Sequence, residues 1–429
     1  MHLTFTPFEA AAVLVVIAAI LGYVNYIYLR MPQTIGLTVM GAVASIVMIV
    51  LDGALPGLGI GDAVRSFLRD VDFDDVLLDA MLSFLLFAGA LHINLDVLLT
   101  RRWAVLAMAL FGVIISTFVV GFGFKGVSML LGLDVPMTWC LVFGALISPT
   151  DPVAVLGILK SARVPPELEA KIGGESLFND GVGVVVFSIC VAAAVGGGEF
   201  SAVHALELFV VEAFGGALLG LVIGWVGYTA MKTIDEHNLE VLISLAVVMG
   251  GYALALRLHV AGPIAMAVAG LLIGNYGTRY AMSDRTRRHL TSFWSLIDEV
   301  LNSVLFLLIG MEIAAIVLDQ TFIAAGLIAI PLVLAARFLA VGIPFSLLKP
   351  FTDFTKGALP VLVWGGLRGG ISIALALSLP QSPATDMILT VTYVVVIFSV
   401  VVQGATMGMA ARRFVGDVRE EAVADSKNA

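Results

Sequence analysis

The sequence predicts an all-α polytopic membrane protein, with about 13 transmembrane helices arranged as two inverted six-helix repeats. Three observations support this fold class: the composition, the number of long apolar runs, and the distribution of basic residues between those runs. Of the 429 residues, 60% are hydrophobic and 13% are charged, whereas a soluble domain has about 25% charged residues. The composition therefore argues against a soluble cytoplasmic enzyme and indicates an integral membrane protein.

Thirteen apolar runs approach the length of about 20 residues that a helix needs to cross the hydrocarbon core. We number them spans 1 to 13, and they lie near residues 9–29, 34–51, 76–98, 103–124, 137–160, 168–196, 204–231, 238–257, 261–275, 289–318, 321–348, 355–380 and 386–412. The first run follows Glu9 without a basic segment before it, so we interpret it as a span and not as a cleavable signal peptide. The acidic connection 52–75 is long enough for a short surface helix.

The basic residues predict how the chain lies in the membrane. Of the 23 Lys and Arg residues, 17 lie in the tail or in connections on one side, 4 on the opposite side, and 2 inside spans. Because cytoplasmic connections are enriched in Lys and Arg, the C-terminus is predicted to be cytoplasmic and the N-terminus outside, in the cell (inner) membrane. Membrane lipid is the expected surrounding. A net charge of −9 argues against a nucleic-acid partner, which would require a basic surface.

An odd number of spans permits spans 1–6 to repeat as spans 8–13 in the opposite orientation, because seven crossings separate matching spans. A shift of 217 residues places span 3 within span 10, span 4 over span 11, and Asp151 on Arg368. Inverted repeats of this kind are common in secondary transporters. We therefore predict a single membrane domain over residues 1–413, followed by a short cytoplasmic tail over 414–429.

A proline-rich segment predicts a break in the middle of span 5. Residues 148–152 read SPTDP, and each proline lacks an amide hydrogen and clashes with the carbonyl four residues earlier. The carbonyls of Ala145 and Ser148 are thereby freed, and lipid cannot satisfy them. They must be covered by protein or line a cavity, so Asp151 is predicted to lie at a functional break in the helix.

Four polar side chains are predicted to share one face of span 6. Residues 173–181 read GGESLFNDG, and helical spacing places Glu175 beside Asn179, and Ser176 beside both Asn179 and Asp180. Such ionisable groups inside a span are costly and are functional candidates by default. Hard oxygen ligands suit Na⁺, and the lack of His and Cys argues against Zn²⁺ or copper. No cofactor is expected.

Span 12 carries the sequence GGLRGG at residues 365–370. The glycines weaken a helix just where the repeat predicts a second break. Arg368 supplies a permanent cation there, which can neutralise carboxylates or the carbonyl ends of broken helices. Arg337 in span 11 is the other buried cation.

Three predicted intramembrane carboxylates therefore face two arginines. Two of Glu175, Asp151 and Asp180 can be paired, which leaves one free to exchange a cation for a proton. We predict that Asp180 is that carboxylate. Burial should favour its proton-bound or cation-bound form, so that the site holds one or the other but never both.

At Thr150-Asp151-Pro152 and across residues 175–180 (ESLFND) the sequence resembles the NhaP/NHE-type cation/proton antiporters. The similarity continues through FLLFAGALH, DEVLNSVLFLLIGMEI and WGGLRGGISIALALSLP. The resemblance implies an all-helical transporter without enzymatic activity that exchanges Na⁺, and in some cases Li⁺ or K⁺, for H⁺ in pH and sodium homeostasis. It also implies a homodimer, with interface helices at about 1–75 and 204–285. The ion-binding core helices would lie at about 76–196 and 289–412, crossed by broken spans 5 and 12.

The resemblance also implies roles for individual residues. Asp180 would bind Na⁺ and exchange the proton, with Ser176 and the backbone carbonyl of Thr150 as further ligands of the metal ion. Asn179 would support the unwound part of span 5, and Asp151 would lie at the crossing of the two breaks.

Glu175 would pair with a buried arginine, with Arg337 favoured, while Arg368 would offset the helix ends at the break in span 12. The chain departs from some relatives in span 3, where 85–90 read LLFAGA and contain no acidic residue. Where electrogenic relatives have two adjacent aspartates, this chain has Asn179-Asp180. An amide cannot exchange a proton, so the resemblance favours electroneutral exchange.

Two other interpretations start from the same residues. Asp151 and Asp180 could form the dyad of an intramembrane aspartyl protease, although neither aspartate lies in a GxGD-type catalytic stretch. A cation channel is the second alternative, but a channel does not need a single titratable carboxylate. Proton coupling would separate a channel from an exchanger.

Overall fold

The computed structural model describes residues 6–54, 81–100, 102–151, 155, 166–196, 202–314, 319–349 and 357–415. Within these ranges the regular elements are helices, and no strand occurs. Nine helices of the described residues are long and apolar enough to cross a membrane. The predicted all-helical membrane architecture is confirmed. Most of the acidic connection 52–75 and nearly all of the tail 414–429 lie outside the described residues.

Helices occupy all thirteen predicted spans. In the first half of the chain, span 1 is Pro7–Val24 with a π-helical turn Asn25–Leu29, span 2 is Gln33–Ala54, span 3 contains Leu82–Leu91 followed by Leu95–Thr100, span 4 is Arg102–Leu130, span 5 begins with Met137–Leu146, and span 6 is Pro166–Val195. Span 7, the linker between the two halves, is Ala202–Lys232.

In the second half, span 8 is His237–Leu258 and span 9 is Gly262–Leu272 with a π-helical turn Ile273–Gly277 and a short helix Thr278–Tyr280. Span 10 is Asp284–Met311 with a 3₁₀ turn Glu312–Ala314, span 11 is Gln320–Leu348, span 12 is Ala358–Trp364 and Gly370–Leu377, and span 13 is Thr385–Phe398 with a π-helical turn Ser399–Gln403 and Gly404–Val415. Span 12 is therefore broken at the glycine-rich segment, as predicted.

Side-chain caps fix where several spans begin. Thr6 and Glu9 form a capping box at the start of span 1, and Ser283 accepts a hydrogen bond from the amide of Thr286 at the start of span 10. Asp319 accepts from two amides at the start of span 11, and these hydrogen bonds hold the pKa of its carboxyl below the usual value. Each cap satisfies amide groups that a helix end otherwise leaves unpaired.

The packing of the spans has the pairing that an inverted repeat requires. Span 3 packs on span 9 and span 2 on span 10, while spans 4 and 11 pack on each other. If spans 1–6 correspond to spans 8–13, the pair of spans 3 and 9 corresponds to the pair of spans 10 and 2. The pair of spans 4 and 11 corresponds to itself. The two matched pairs both use glycine for close approach. A Cβ on Gly41 would lie 2.8 Å from the Leu307 carbonyl oxygen, and one on Gly270 would lie 2.7 Å from that of Phe87.

Spans 4, 5, 6, 11, 12 and 13 pack around one another and surround the two breaks. Large side chains such as Phe124, Phe143 and Tyr393 are fully buried there. The polar residues singled out from the sequence therefore lie inside protein, where water does not screen their charges.

Candidate ion-binding site

Span 5 stops being helical just before its proline-rich segment. The helix Met137–Leu146 ends at Ile147, and the hydroxyl of Ser148 bonds back to the Gly144 carbonyl oxygen at 2.8 Å. The amide of Asp151 then donates to the carbonyl oxygen of Leu367 in span 12 at 2.8 Å. This backbone bond joins the two breaks, so spans 5 and 12 meet where the sequence predicted.

Arg368 lies at this meeting point and is 2% exposed. Its guanidinium donates to the carbonyl oxygens of Ser148 and Pro149, and its amide donates to the Ser399 hydroxyl at 2.8 Å. The carbonyls beyond the end of a half-helix carry partial negative charge, which a buried cation stabilises. Arg368 therefore covers the carbonyl end of span 5.

The carbonyl end of the first half of span 12, Ala358–Trp364, is reached by Arg337 instead, whose Nη2 donates to the buried Leu362 oxygen at 3.1 Å. The expectation that Arg368 offsets the helix ends of its own span is thus modified. Because the two broken spans meet face to face, a side chain that follows one half-helix reaches the end of the other.

Glu175 is paired with Arg337 and not with Arg368. Nη1 of Arg337 lies 2.6 Å from Oε1 of Glu175, and Nη2 lies 3.1 Å from Oε2. The carboxylate is 1% exposed and the arginine 5%. A bidentate pair of this kind satisfies both carboxylate oxygens and cancels both charges.

The remaining predicted side chains converge on Thr150. Its hydroxyl lies 3.1 Å from the Ser176 hydroxyl and accepts from the Asn179 amide at 3.2 Å. Its backbone amide donates to the Asp180 carboxylate. These residues are all buried, so Thr150, Ser176, Asn179 and Asp180 form one polar cluster around the unwound end of span 5.

Two oxygen atoms of this cluster are left without a hydrogen-bond partner in the described part of the chain. They are Oδ1 of Asp180 and Oδ1 of Asn179. Asp151, Arg368 and Glu175 are close enough to act electrostatically on Asp180, but among the described residues no basic side chain forms an ion pair with it. Asp180 is therefore a buried carboxylate with an open oxygen.

The glycines around Arg368 have a further role that composition alone did not indicate. A Cβ on Gly366 would lie 2.9 Å from Cδ of Arg337, and one on Gly369 would lie 2.8 Å from Cγ of Asp151. Both contacts are too close for a real side chain. The glycines therefore allow the side chains of Arg337 and Asp151 to pack directly on the unwound backbone of span 12.

Sequence reasoning missed several partners in the site. The Leu362 and Leu367 carbonyls and the Ser399 hydroxyl bind functional residues, but nothing in their local sequence distinguishes them. The described residues contain no group of three or more His, Cys, Asp or Glu side chains arranged to hold a metal ion.

Two helices that break and meet beside a buried carboxylate are typical of secondary active transporters. Residues 15–413 match the sequence profile of the family described as "Sodium/hydrogen exchanger, transmembrane", and the chain belongs to this family. It is a transporter and not an enzyme, so the interpretation of Asp151 and Asp180 as an aspartyl-protease dyad is wrong.

Similar proteins support this assignment over nearly the whole chain. The Na⁺/H⁺ antiporter NhaP of Pseudomonas aeruginosa is 46% identical, with 94% of this chain and 96% of that protein covered. The Na⁺/H⁺ antiporter NhaH of Halobacillus dabanensis is 34% identical, with 88% and 91% covered. The solved structure of the sodium proton antiporter MjNhaP1 from Methanocaldococcus jannaschii superposes with a TM-score of 0.74 at 21% identity, covering 96% of this chain and 99% of that one. This last likeness shows the fold.

Proposed function

We propose that the protein exchanges Na⁺ for H⁺ across the cell membrane and that Asp180 binds both ions. The observation that supports this most strongly is the open oxygen Oδ1 of Asp180, which is buried and has no hydrogen-bond partner among the described residues. The two curated relatives described above match this chain over almost their full lengths, and both are named Na⁺/H⁺ antiporters.

Competition between the two ions follows from the cost of a buried charge. An ionised carboxylate in a membrane interior is unfavourable unless a proton or a cation neutralises it. Asp180, the Ser176 hydroxyl and the Thr150 carbonyl oxygen supply the hard oxygen ligands that Na⁺ prefers. Because the proton and Na⁺ need the same carboxylate, binding of one displaces the other.

The surrounding charges favour one-for-one exchange. Glu175 and Arg337 neutralise each other, and Arg368 is directed at backbone carbonyls. Asn179 can support the site through its amide but cannot release a proton. Asp151 lies at the crossing, where its amide is bound to Leu367, and Asp180 remains as the group whose charge changes during exchange.

Alternating access would come from movement of the core helices, at about 76–196 and 289–412, against the interface helices, at about 1–75 and 204–285. Only the proton-bound or Na⁺-bound core is neutral enough to move through the membrane. We further propose that the protein is a homodimer assembled through the interface helices. Span 7 supports this because Phe214, Leu218 and Trp225 are strongly exposed there.

The distribution of basic residues supports an orientation with the N-terminus outside and the C-terminus in the cytoplasm of the cell (inner) membrane. In this orientation the connection after span 10 faces outward. The tail after residue 413 is then cytoplasmic.

Ion-driven proton flux in proteoliposomes tests the proposed function. Purified protein is reconstituted with a pH-sensitive dye inside, and Na⁺, Li⁺ or K⁺ is added outside over a range of pH. We expect Na⁺ to drive proton flux that is unchanged when K⁺ and valinomycin clamp the membrane potential. Proton flux that follows the imposed potential, or Na⁺ current without proton movement, would contradict electroneutral exchange and favour a channel.

A further inference from the structure

A second buried carboxyl group lies away from the crossing, at the end of span 10. Glu312 begins the 3₁₀ turn Glu312–Ala314 and is 6% exposed. Its Oε2 has no hydrogen-bond partner within the described ranges. The turn is held in place because the Ser45 hydroxyl of span 2 donates to the Met311 carbonyl oxygen at 2.7 Å.

Among the described elements that pack near Glu312, spans 2 and 13 provide no cation to pair with it. The turn packs on span 2, whose one ionisable residue is Asp52. In span 13 the residues Asp386 and Tyr393 are titratable, and Tyr393 acts electrostatically on Glu312. Neither 33–54 nor 385–403 contains Lys, Arg or His.

Two further buried hydroxyl groups lie on spans 12 and 13, which pack on each other. Tyr393 is 1% exposed, and its hydroxyl has no hydrogen-bond partner among the residues described. It precedes Ser399, which binds the Arg368 amide, by six helical residues, which is about 9 Å along the axis. The hydroxyl of Ser372, one turn beyond the break in span 12, is also buried and unpartnered in the described structure.

Two physical arguments give these groups a role. A buried carboxylate oxygen without a cation or hydrogen-bond donor beside it makes the ionised form costly, so the described surroundings of Glu312 favour its protonated form. Buried polar groups without a protein partner are normally satisfied by ordered water. The Ser372 and Tyr393 hydroxyls can therefore join Glu312 to the crossing through water.

We propose that Glu312 is a second proton-binding site, through which protons pass between Asp180 and the membrane side where span 10 ends. The proton leaves the Glu312 carboxyl, crosses the Tyr393 and Ser372 hydroxyls and buried water, and is received by the Asp180 carboxylate as Na⁺ departs. Glu312 then regains a proton from bulk water. This inference rests on the proposed function of Asp180.

Exchange kinetics of a Glu312→Gln protein provide the first test. The amide cannot release a proton, so maximal exchange should fall by about a hundredfold, the lower end of the range for a lost proton-transfer group. The Na⁺ affinity should change less than about twofold, since the ligands of Asp180 are untouched. Tyr393→Phe should give a smaller loss. Glu299→Gln is the matched control, because Glu299 lies on the same helix but is exposed, and it should exchange normally.

Infrared difference spectroscopy gives a second test that needs no transport. In the difference spectrum between acidic and alkaline buffer, an Asp180→Asn protein should retain the band of a protonated carboxyl group. That band should be absent from the double variant that also carries Glu312→Gln. This result stands even if Asp180→Asn proves to exchange ions, so the two proposals can fail separately. The relay is overturned if the band is missing, if Glu312→Gln exchanges like Glu299→Gln, or if Glu312→Gln loses Na⁺ affinity.

Discussion

Glu175 and Asp180 lie five residues apart on span 6 and are buried to the same degree, at 1% and 2% exposure. Their surroundings differ in one respect. Both oxygens of Glu175 are bound by Arg337, whereas Oδ1 of Asp180 has no hydrogen-bond partner among the described residues. The same chemical group is thus fixed as one half of an ion pair at one position and left open at the other.

This difference teaches that burial alone does not make a carboxylate a transport site. A fully paired carboxylate is already neutralised, and it gains little from a proton or Na⁺. An unpaired one must take up an ion before the protein around it can move. The predictions below separate these two roles, and they run from the largest expected effect to the smallest.

Replacing the open carboxylate should have the largest effect. Asp180→Asn keeps the size of the side chain but removes the charge that binds Na⁺ and the proton, so we expect exchange to fall to the background of empty liposomes. The thermal unfolding temperature should not decrease, because no buried ion pair is lost. Na⁺-driven proton flux at the wild-type rate in this folded variant would refute the assignment of Asp180.

Replacing the paired carboxylate should instead damage stability. Glu175→Ala leaves the Arg337 guanidinium buried without its carboxylate, which should cost about 3–5 kcal/mol of folding free energy. Thermal unfolding in detergent measures this loss. The double variant Glu175→Leu with Arg337→Met should recover much of it, since a buried pair can often be replaced by apolar side chains. Unchanged unfolding with altered Na⁺ affinity would place Glu175 in the ion site.

The crossing itself can be tested with a methyl group. Gly369→Ala would bring a Cβ against the Asp151 carboxylate, and overpacking of this kind should cost about 1–3 kcal/mol and reduce turnover. Gly342→Ala in span 11 is the matched control, because a Cβ there meets nothing within 4 Å. Equal unfolding temperatures and exchange rates for the two variants would show that the close approach at Gly369 is unimportant.

A neutral ligand should matter less than the carboxylate. Ser176→Ala removes one hydroxyl from the Asp180 cluster, and a lost oxygen contact to a cation should weaken Na⁺ binding about tenfold. The concentration of Na⁺ that gives half-maximal exchange measures this, with maximal exchange retained. An unchanged Na⁺ dependence would remove Ser176 from the ligand set.

The smallest effect is expected for an ion pair at the surface. Arg279 and Asp96 form a pair in which both side chains are about half exposed, so water and salt already screen their charges. Asp96→Asn should leave both exchange and unfolding temperature close to wild type. A loss as large as that of Glu175→Ala would mean that burial does not distinguish the two pairs.

Much of the fold could be predicted because membrane crossing imposes a simple length rule on apolar sequence. Each of the thirteen predicted spans coincides with helical residues, and the glycine-rich segment 365–370 interrupts span 12. The predicted break in span 5 follows from proline chemistry in the same way. Helical spacing also placed the polar residues of span 6 together, since neighbours three and four residues apart share a face.

The sequence by itself determined which residues are polar in an apolar surrounding and where the helices cannot continue, because both depend on local composition. Only the tertiary structure decided that Arg337 binds Glu175, that Arg368 binds the carbonyls of span 5, and that one oxygen of Asp180 stays open. These choices join residues far apart in the chain. They depend on how two broken helices face each other, which no local pattern specifies.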